Sequence, residues 1–230
     1  MSPPTPENSA LAIIDLQNDF CPPHGALAVE GGRDIAPAIN KLLEIPFALK
    51  LATRDFHPPN HISFASQHSG KNPFVDSHTI TSPKNEKETQ TTLLWPDHCV
   101  QNTPGCELIP ELNTSALDLV VEKGTDIRVE SYSAFGPPFR NPPVAMSGVD
   151  TTLRKHGIEH VFVCGLALDF CVKSTAVDAA EFGYSTYVIE EATRGIDCSD
   201  SGRTKARADM EKVGVRVIRL DGLELAAIRK

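Results

Sequence analysis

The chain has 230 residues, 40% of them hydrophobic, enough for one well-buried core. Its formal net charge of -8, with no block of like charge, excludes the clustered basic footprint that nucleic-acid binding requires. No apolar run approaches the ~18 residues of a membrane-spanning helix, and the opening MSPPTPENSALAIIDL lacks the basic and apolar regions of a secretory signal, so a soluble, unsecreted protein without membrane partners is expected.

ALAIID (10–15) predicts a buried strand, and DIAPAINKLLEI (34–45) follows it with apolar residues at helical spacing. FALKLATRD (47–55) predicts a second strand. Residues 56–97, rich in His, Pro, Asn, Ser and Thr, break the pattern and predict a long irregular connection of functional kind. LDLVVEK (117–123) resumes as a strand, and a second irregular stretch, 125–146, contains SAFGPPFRNPPV. HVFVCGL (160–166) then leads into FCVKSTAVDAAEFG, a helix stopped by Gly183. STYVIEE (185–191) is followed by SDSGRTKARADMEKVG, a helix with Ser199 or Asp200 as N-cap and Gly214 past its end. VRVIRL and a short terminal helix in LDGLELAAIRK close the chain.

Short apolar runs alternating with amphipathic segments predict an α/β fold: a three-layer sandwich whose mostly parallel central sheet carries helices on both faces. No repeat and no flexible linker divides it, so a single domain over 1–230 is expected. Six cysteines, at 21, 99, 106, 164, 171 and 198, form no C-x-x-C pair, which predicts reduced thiols in an intracellular compartment, first of all the cytoplasm. The end AIRK is no S-K-L type address, so a peroxisomal or nuclear location would require transport with a partner.

Ligands of open parallel sheets bind beyond the carboxyl ends of the strands, and three of those ends carry reactive groups. Asp15 ends ALAIID, Lys123 ends LDLVVEK, and Cys171 follows HVFVCGLALDF where a helix begins. A helix N-terminus and a neighbouring ammonium would each lower the thiol pKa, and Asp15 could shuttle the proton. Taken singly, each has an ordinary role too: Asp15 as a loop cap, Lys123 as a solvated strand end, Cys171 as a core thiol. Cys164, within the strand, reads as the core cysteine.

A second constellation follows the second strand in R-D-F-H-P-P-N-H, with Asp55, His57 and His61, and His98 in LWPDHCV completes it. Carboxylate and imidazole are ordinary ligands of zinc and similar ions. Pro58 and Pro59 separate the first two histidines, so they cannot share a helical face and any site is built from loops.

The chain resembles the nicotinamidases of the isochorismatase-like cysteine hydrolase superfamily. The resemblance rests on I-I-D-L-Q-N-D-F (13–20), R-D-F-H-P-P-N-H-I-S-F (54–64), L-W-P-D-H-C-V-Q-N-T (94–103), E-K-G (122–124), Y-S-A-F (132–135) and G-L-A-L-D-F-C-V (165–172), in that order along most of the chain. It implies the isochorismatase-like fold, with Asp15, Lys123 and Cys171 as a catalytic triad and Asp55, His57 and His98 as ligands of one divalent ion. Zinc is the expected metal, with iron and manganese as alternatives. His61 is implied either as a direct ligand or as a partner of a metal-bound water. Phe20, Trp95 and Tyr132 match positions that line the substrate ring. A cis peptide between Leu166 and Ala167 is implied, with the backbone N–H groups of Ala167 and Cys171 serving an oxyanion. The implied reaction converts nicotinamide to nicotinate and ammonia through a thioester in NAD salvage, with pyrazinamide as a second substrate.

Phe56 replaces the tryptophan frequent in the family motif, and residues 136–146 match no part of it, leaving a role at the pocket mouth or in a homo-oligomer open. Two other readings compete: an amidase of the same superfamily acting on a carbamoyl or ureido compound, which need not carry the metal cluster, and a non-catalytic binding module. The latter has no physical need for an acid, a cation and a thiol at three strand ends.

Overall fold

A computed structural model describes residues 2–229. Six parallel strands form the central sheet in the order β5-β2-β1-β6-β7-β8: β1 (Ser9–Ile14), β2 (Leu49–Asp55), β5 (Leu119–Lys123), β6 (His160–Leu166), β7 (Ser185–Arg194) and β8 (Arg216–Ile218). β1 and β6 are buried along their whole length, because helices cover both faces. On one face, α1 (Ala36–Leu43) and α5 (Leu223–Ile228) pack through Ile39, Leu42, Leu225 and Ile228 against Leu11, Ile13, Phe162 and Ile189. On the other, α2 (Val149–Lys155), α3 (Lys173–Glu181) and α4 (Asp200–Glu211) bring Leu153, Ala176, Ala179 and Met210 against Ala12, Ile14, Val161 and Val163. The expected three-layer sandwich is therefore present, with α4 capped by the Ser199 hydroxyl rather than by Asp200. The end of the expected terminal helix, Lys230, lies outside the described residues.

Two expectations need correcting. The stretch 56–97 is not irregular throughout: β3 (Ser77–Ser82) and β4 (Asn85–Leu93) pair antiparallel as a hairpin outside the main sheet. Its strands bury little beyond Ile80, Ser82 and Thr92, so the alternation of apolar and polar residues that marks a strand is missing. α2 was not expected either, since VDTTLRK offers only Val149 and Leu153 as buried apolar positions. By contrast, 136–146 stays irregular and acts as a strap. Phe139 and Val144 join Ile80 and Val129 in a small separate core, and Arg140 reaches Asp178 on α3 at 2.5 Å.

The sheet order changes direction at β1, whose neighbours are β2 on one side and β6 on the other. That switch point is where a parallel sheet opens a crevice for ligands. Gly165 makes the approach of β6 to β1 feasible: its φ is +109°, and a Cβ there would sit 2.1 Å from the Ile14 carbonyl oxygen.

Candidate active site and metal centre

Three strand ends converge on Lys123. This residue closes β5 in register with Asp55 at the end of β2, which places both side chains on one face of neighbouring strands. Asp15 leaves β1 with φ +47°. The Lys123 ammonium lies 2.9 Å from Asp15 Oδ2, 2.5 Å from Asp55 Oδ1, 3.1 Å from the Ser131 carbonyl oxygen and 3.5 Å from Cys171 Sγ. All four side chains involved, Asp15, Asp55, Lys123 and Cys171, are buried. The expected triad is thus assembled, and Lys123 also holds Asp55, which links it to the histidine cluster.

Burial governs the protonation of this group. It lowers the affinity of Lys123 for its proton, yet Asp15, Asp55 and Cys171 outweigh it and keep the ammonium charged well above its usual range. Burial raises the Asp15 pKa to about 6; Lys123 opposes the shift and Asp55 reinforces it. The Thr53 hydroxyl donates to Asp15 Oδ1 at 2.6 Å, whereas Oδ2 has the ion pair but no well-directed hydrogen bond, leaving an acceptor free for a proton. The lowered Cys171 pKa expected from Lys123 and the helix start is not found. Burial drives it well above the ordinary thiol value, Lys123 lowers it, and Asp15 and Asp55 raise it again. Moreover, Cys171 sits in a π-helical turn, Leu168–Val172, one turn ahead of α3 rather than at its first residue. Cys171 is therefore a neutral thiol beside the Asp15 carboxylate. Cys164 is fully buried among apolar side chains, and burial alone raises its pKa, in keeping with a core role.

Asp55 carries the second cluster. His57 donates from Nδ1 to the Gly124 carbonyl oxygen at 2.9 Å, which leaves its buried Nε2 without a hydrogen-bond partner and 3.6 Å from Asp55 Oδ2. His98 donates from Nδ1 to the Pro96 carbonyl oxygen at 2.8 Å, and its Nε2 lies 4.0 Å from the same carboxylate oxygen. Backbone carbonyls thus hold both rings through Nδ1, with each Nε2 turned to Asp55, the usual orientation of a histidine toward a metal; burial opposes protonation of His57, but Asp55 outweighs it and raises its pKa. The donor atoms of the three residues lie within 4.8 Å of one another. Burial pushes the Asp55 pKa up, but Lys123, His57 and His98 outweigh it and hold the carboxylate ionised. An ionised carboxylate flanked by two imidazoles, one with an orphaned buried nitrogen, suits a divalent cation.

His61 stands one layer behind. Its ring stacks on His57 with centroids 4.1 Å apart; Nδ1 accepts from the Ser63 hydroxyl at 2.8 Å, and Nε2 donates to the Val129 carbonyl oxygen at 3.1 Å. With both nitrogens engaged it offers no free lone pair to the Asp55 group. Burial and the neighbouring His57 lower its pKa to about 4, so it supports the cluster as a neutral ring. Gly124 explains the last letter of E-K-G: its φ is +66°, and a Cβ there would lie 2.3 Å from His57 Cε1.

An aromatic wall adjoins the thiol. Trp95 meets Phe170 edge-on at 4.9 Å, Tyr132 packs on Phe170 at 5.5 Å, and Phe20 tilts against His98 at 5.5 Å. Trp95 Nε1 donates to the Tyr132 hydroxyl at 2.9 Å, and that hydroxyl also meets Thr92 Oγ1 at 2.6 Å. The Leu166–Ala167 peptide is cis, as the resemblance implies. A polar cavity of about 270 Å³ reaches Lys123 and Ser131, while a larger one of about 650 Å³ lies between β7 and α4 and contains none of the triad or cluster residues.

Sequence reasoning missed several supporting residues. Thr53, inside β2, orients Asp15. Gln17, fully buried, accepts from the Asp55 backbone N–H at 2.7 Å and donates to the Asp55 and Cys106 carbonyl oxygens at 2.8 Å each, so it fixes the chain at Asp55. Its place in I-I-D-L-Q-N-D-F was the available signal. Phe170 lay next to the thiol in plain view.

A parallel sheet with a thiol, a carboxylate and an ammonium gathered at its switch point is the architecture of the isochorismatase-like α/β hydrolases. Residues 9–221 match the isochorismatase domain, and the chain belongs to that family. It is similar to the nicotinamidase of Acinetobacter baylyi, 42% identical over 84% of this chain and 85% of the relative. Its fold matches the yeast nicotinamidase Pnc1p bound to the inhibitor nicotinaldehyde, with a TM-score of 0.85 and 34% identity over 92% of this chain and 99% of the yeast one. It also matches the pyrazinamidase of Pyrococcus horikoshii in complex with zinc, with a TM-score of 0.70 and 32% identity over 92% and 99% of the two chains. These relatives make the protein an amidohydrolase.

Proposed function

We propose that the protein hydrolyses nicotinamide to nicotinate and ammonia, accepts pyrazinamide, and serves NAD salvage by supplying nicotinate. The observation that carries this reading is the single buried ammonium of Lys123 touching Asp15, Asp55 and Cys171 at once, beside a wall of aromatic rings. That arrangement joins an amide-cleaving thiol to a donor set for a divalent ion, of which zinc is the first choice and iron and manganese fit the same ligands.

A divalent ion held by Asp55, His57 and His98 would supply a Lewis-acid seat for the pyridine nitrogen. Trp95, Tyr132 and Phe20 confine the flat ring, which turns the carboxamide toward Cys171 and lowers the entropic barrier to attack. Cys171 Sγ bonds to the carboxamide carbon as its proton passes to Asp15. The carbonyl π electrons move onto oxygen, where the backbone N–H groups of Ala167 and Cys171 receive the oxyanion. Asp15 returns the proton to nitrogen, the C–N bond breaks, and ammonia leaves a thioester on Cys171. Asp15, ionised again, takes a proton from water as it attacks the thioester, then restores it to the departing thiol while nicotinate is released. Lys123 stays charged throughout and balances whichever carboxylate or sulfur bears the negative charge.

Ammonia release from nicotinamide and from pyrazinamide, measured before and after removal of metal with a chelator, tests the proposal. Activity that disappears on chelation and returns with zinc is expected. Folded, metal-loaded protein that releases ammonia from neither amide would overturn it.

A further inference from the structure

We propose that Asp169 is a positioning residue of the nucleophile: its carboxylate clamps the turn that carries Cys171 to the loop after β7, and so holds the backbone N–H groups that receive the oxyanion. The inference rests on the amide-cleaving reading above and deepens it. Cys171 sits in the π-helical turn Leu168–Val172, between the end of β6 and the first residue of α3. Within it the Ala167 carbonyl oxygen accepts from both the Phe170 and the Val172 N–H at 3.1 Å, so one backbone group carries two bonds. Such a turn is wider than an α-helical one and rarely persists beyond a single turn, so its shape calls for support from outside.

Asp169 supplies that support. Its Oδ1 accepts from the Ile196 N–H and its Oδ2 from the Asp197 N–H, both at 2.9 Å. Two consecutive backbone donors thus meet the two oxygens of one carboxylate, in charge-assisted bonds stronger than those between neutral groups. Residue 195 is glycine where the loop passes closest: a Cβ there would stand 3.2 Å from Asp169 Oδ1. The loop is itself held at both ends. Before it, Thr193 and Arg194 close β7 in register with Gly165 and Leu166 of β6. After it, Asp197 Oδ1 accepts from the Ser199 N–H at 3.0 Å, and the Ser199 hydroxyl caps α4. Asp169 therefore ties the thiol turn to the sheet on one side and to α4 on the other. Both of its oxygens face backbone donors, which suits it to hold the turn rather than to move a proton. Ala167 stands two residues before it and Cys171 two after, so fixing Asp169 sets the spacing of their N–H groups. Those groups matter only once the oxyanion forms, whereas the ring is held by the aromatic wall.

Asp169→Asn leaves one acceptor for two donors, and Asp169→Ala leaves none. Each is compared with wild type at a temperature where their far-UV circular dichroism coincides; if Asp169→Ala does not fold, Asp169→Asn alone decides. In ammonia release from nicotinamide, kcat should fall about 10-fold in Asp169→Asn and about 100-fold in Asp169→Ala, with KM within about twofold of wild type. Pyridine-3-carbaldehyde labelled with 13C at its carbonyl carbon reads the turn without hydrolysis, because the Cys171 thiol adds across its C=O bond to a tetrahedral hemithioacetal whose oxygen meets the same N–H groups. Its Kd, followed by the 13C signal of the adduct, should rise by about the factor that kcat falls. Nicotinate, which fills the ring seat without bonding to sulfur, should bind as to wild type. The pH profile should keep its shape; a displaced acid limb would give Asp169 a proton-transfer role and end the clamp. Wild-type kcat in either variant, or nicotinate weakened as far as the aldehyde, would overturn it as well. Wild-type protein that neither forms the adduct nor releases ammonia would instead overturn the amide-cleaving reading, and the clamp with it.

Discussion

The thiol side and the histidine side of the site are built differently although they share Lys123 and Asp55. On the thiol side, groups stand at or just past the ends of packed parallel strands, and Asp15 and Cys171 both face the same ammonium. On the histidine side, only Asp55 belongs to a strand. His57, His61 and His98 hang on loops and are aimed by hydrogen bonds that their rings donate to the Gly124, Val129 and Pro96 carbonyls and that His61 accepts from the Ser63 hydroxyl. A rigid sheet places the groups proposed to make and break bonds, whereas loops, which tolerate sequence change more readily, place the proposed metal ligands. On the proposed mechanism one region fixes what chemistry is done and the other what molecule receives it.

The largest expected effect falls on the thiol side. Cys171→Ala should lower ammonia release by about 10^4-fold or more, while far-UV circular dichroism and melting stay near wild type. Normal turnover in that variant would move the nucleophile elsewhere and dissolve the contrast between the two sides. Lys123→Met strikes the group both regions share. Removing one partner of a buried charge network leaves the others uncompensated, so a loss of about 3 to 5 kcal/mol in unfolding free energy is expected. Denaturant unfolding reads this directly, and a loss below about 1 kcal/mol would mean that the two sides are not electrostatically joined. The smallest effect is that of pH. Asp15 must be ionised to accept the thiol proton, and its pKa stands near 6, so kcat/KM should fall about tenfold per pH unit below that value. Its effect on stability has the opposite sign: a carboxyl raised from 3.8 to about 6 contributes stability in full below 3.8 and loses it as pH rises through 6. A rate profile flat down to pH 4.5 would take the proton shuttle away from Asp15.

Much of the thiol side was legible in the sequence, since apolar runs locate strands and the residue after each run is then a candidate. Asp15, Lys123 and Cys171 all emerged in this way. What failed was the thiol pKa: from the sequence a nearby lysine and a helix start suggest a thiolate, but burial and two carboxylates reverse the balance, and burial depth is a property of the folded chain. Of the histidine side, Asp55, His57 and His98 were found as a family resemblance and as plausible ligand types, while their aim depends on Gly124 and Gln17, whose contacts span 67 and 38 positions of chain. Polar strands such as β3 and β4 carry no periodic apolar signal, so the hairpin that brings Thr92 to Tyr132 was read as loop.

Gly165 bears on all of this although it has no functional atom. Had residue 165 a methyl group, the sixth strand could not lie against the first, since that carbon would overlap the Ile14 carbonyl oxygen. The acid on one strand and the thiol-bearing turn on the other would then stand apart, with every reactive group intact. The site therefore depends on an emptiness as strictly as on its nucleophile: a survey of tolerated substitutions should show position 165 to be as intolerant as 171, the one for want of room and the other for want of sulfur.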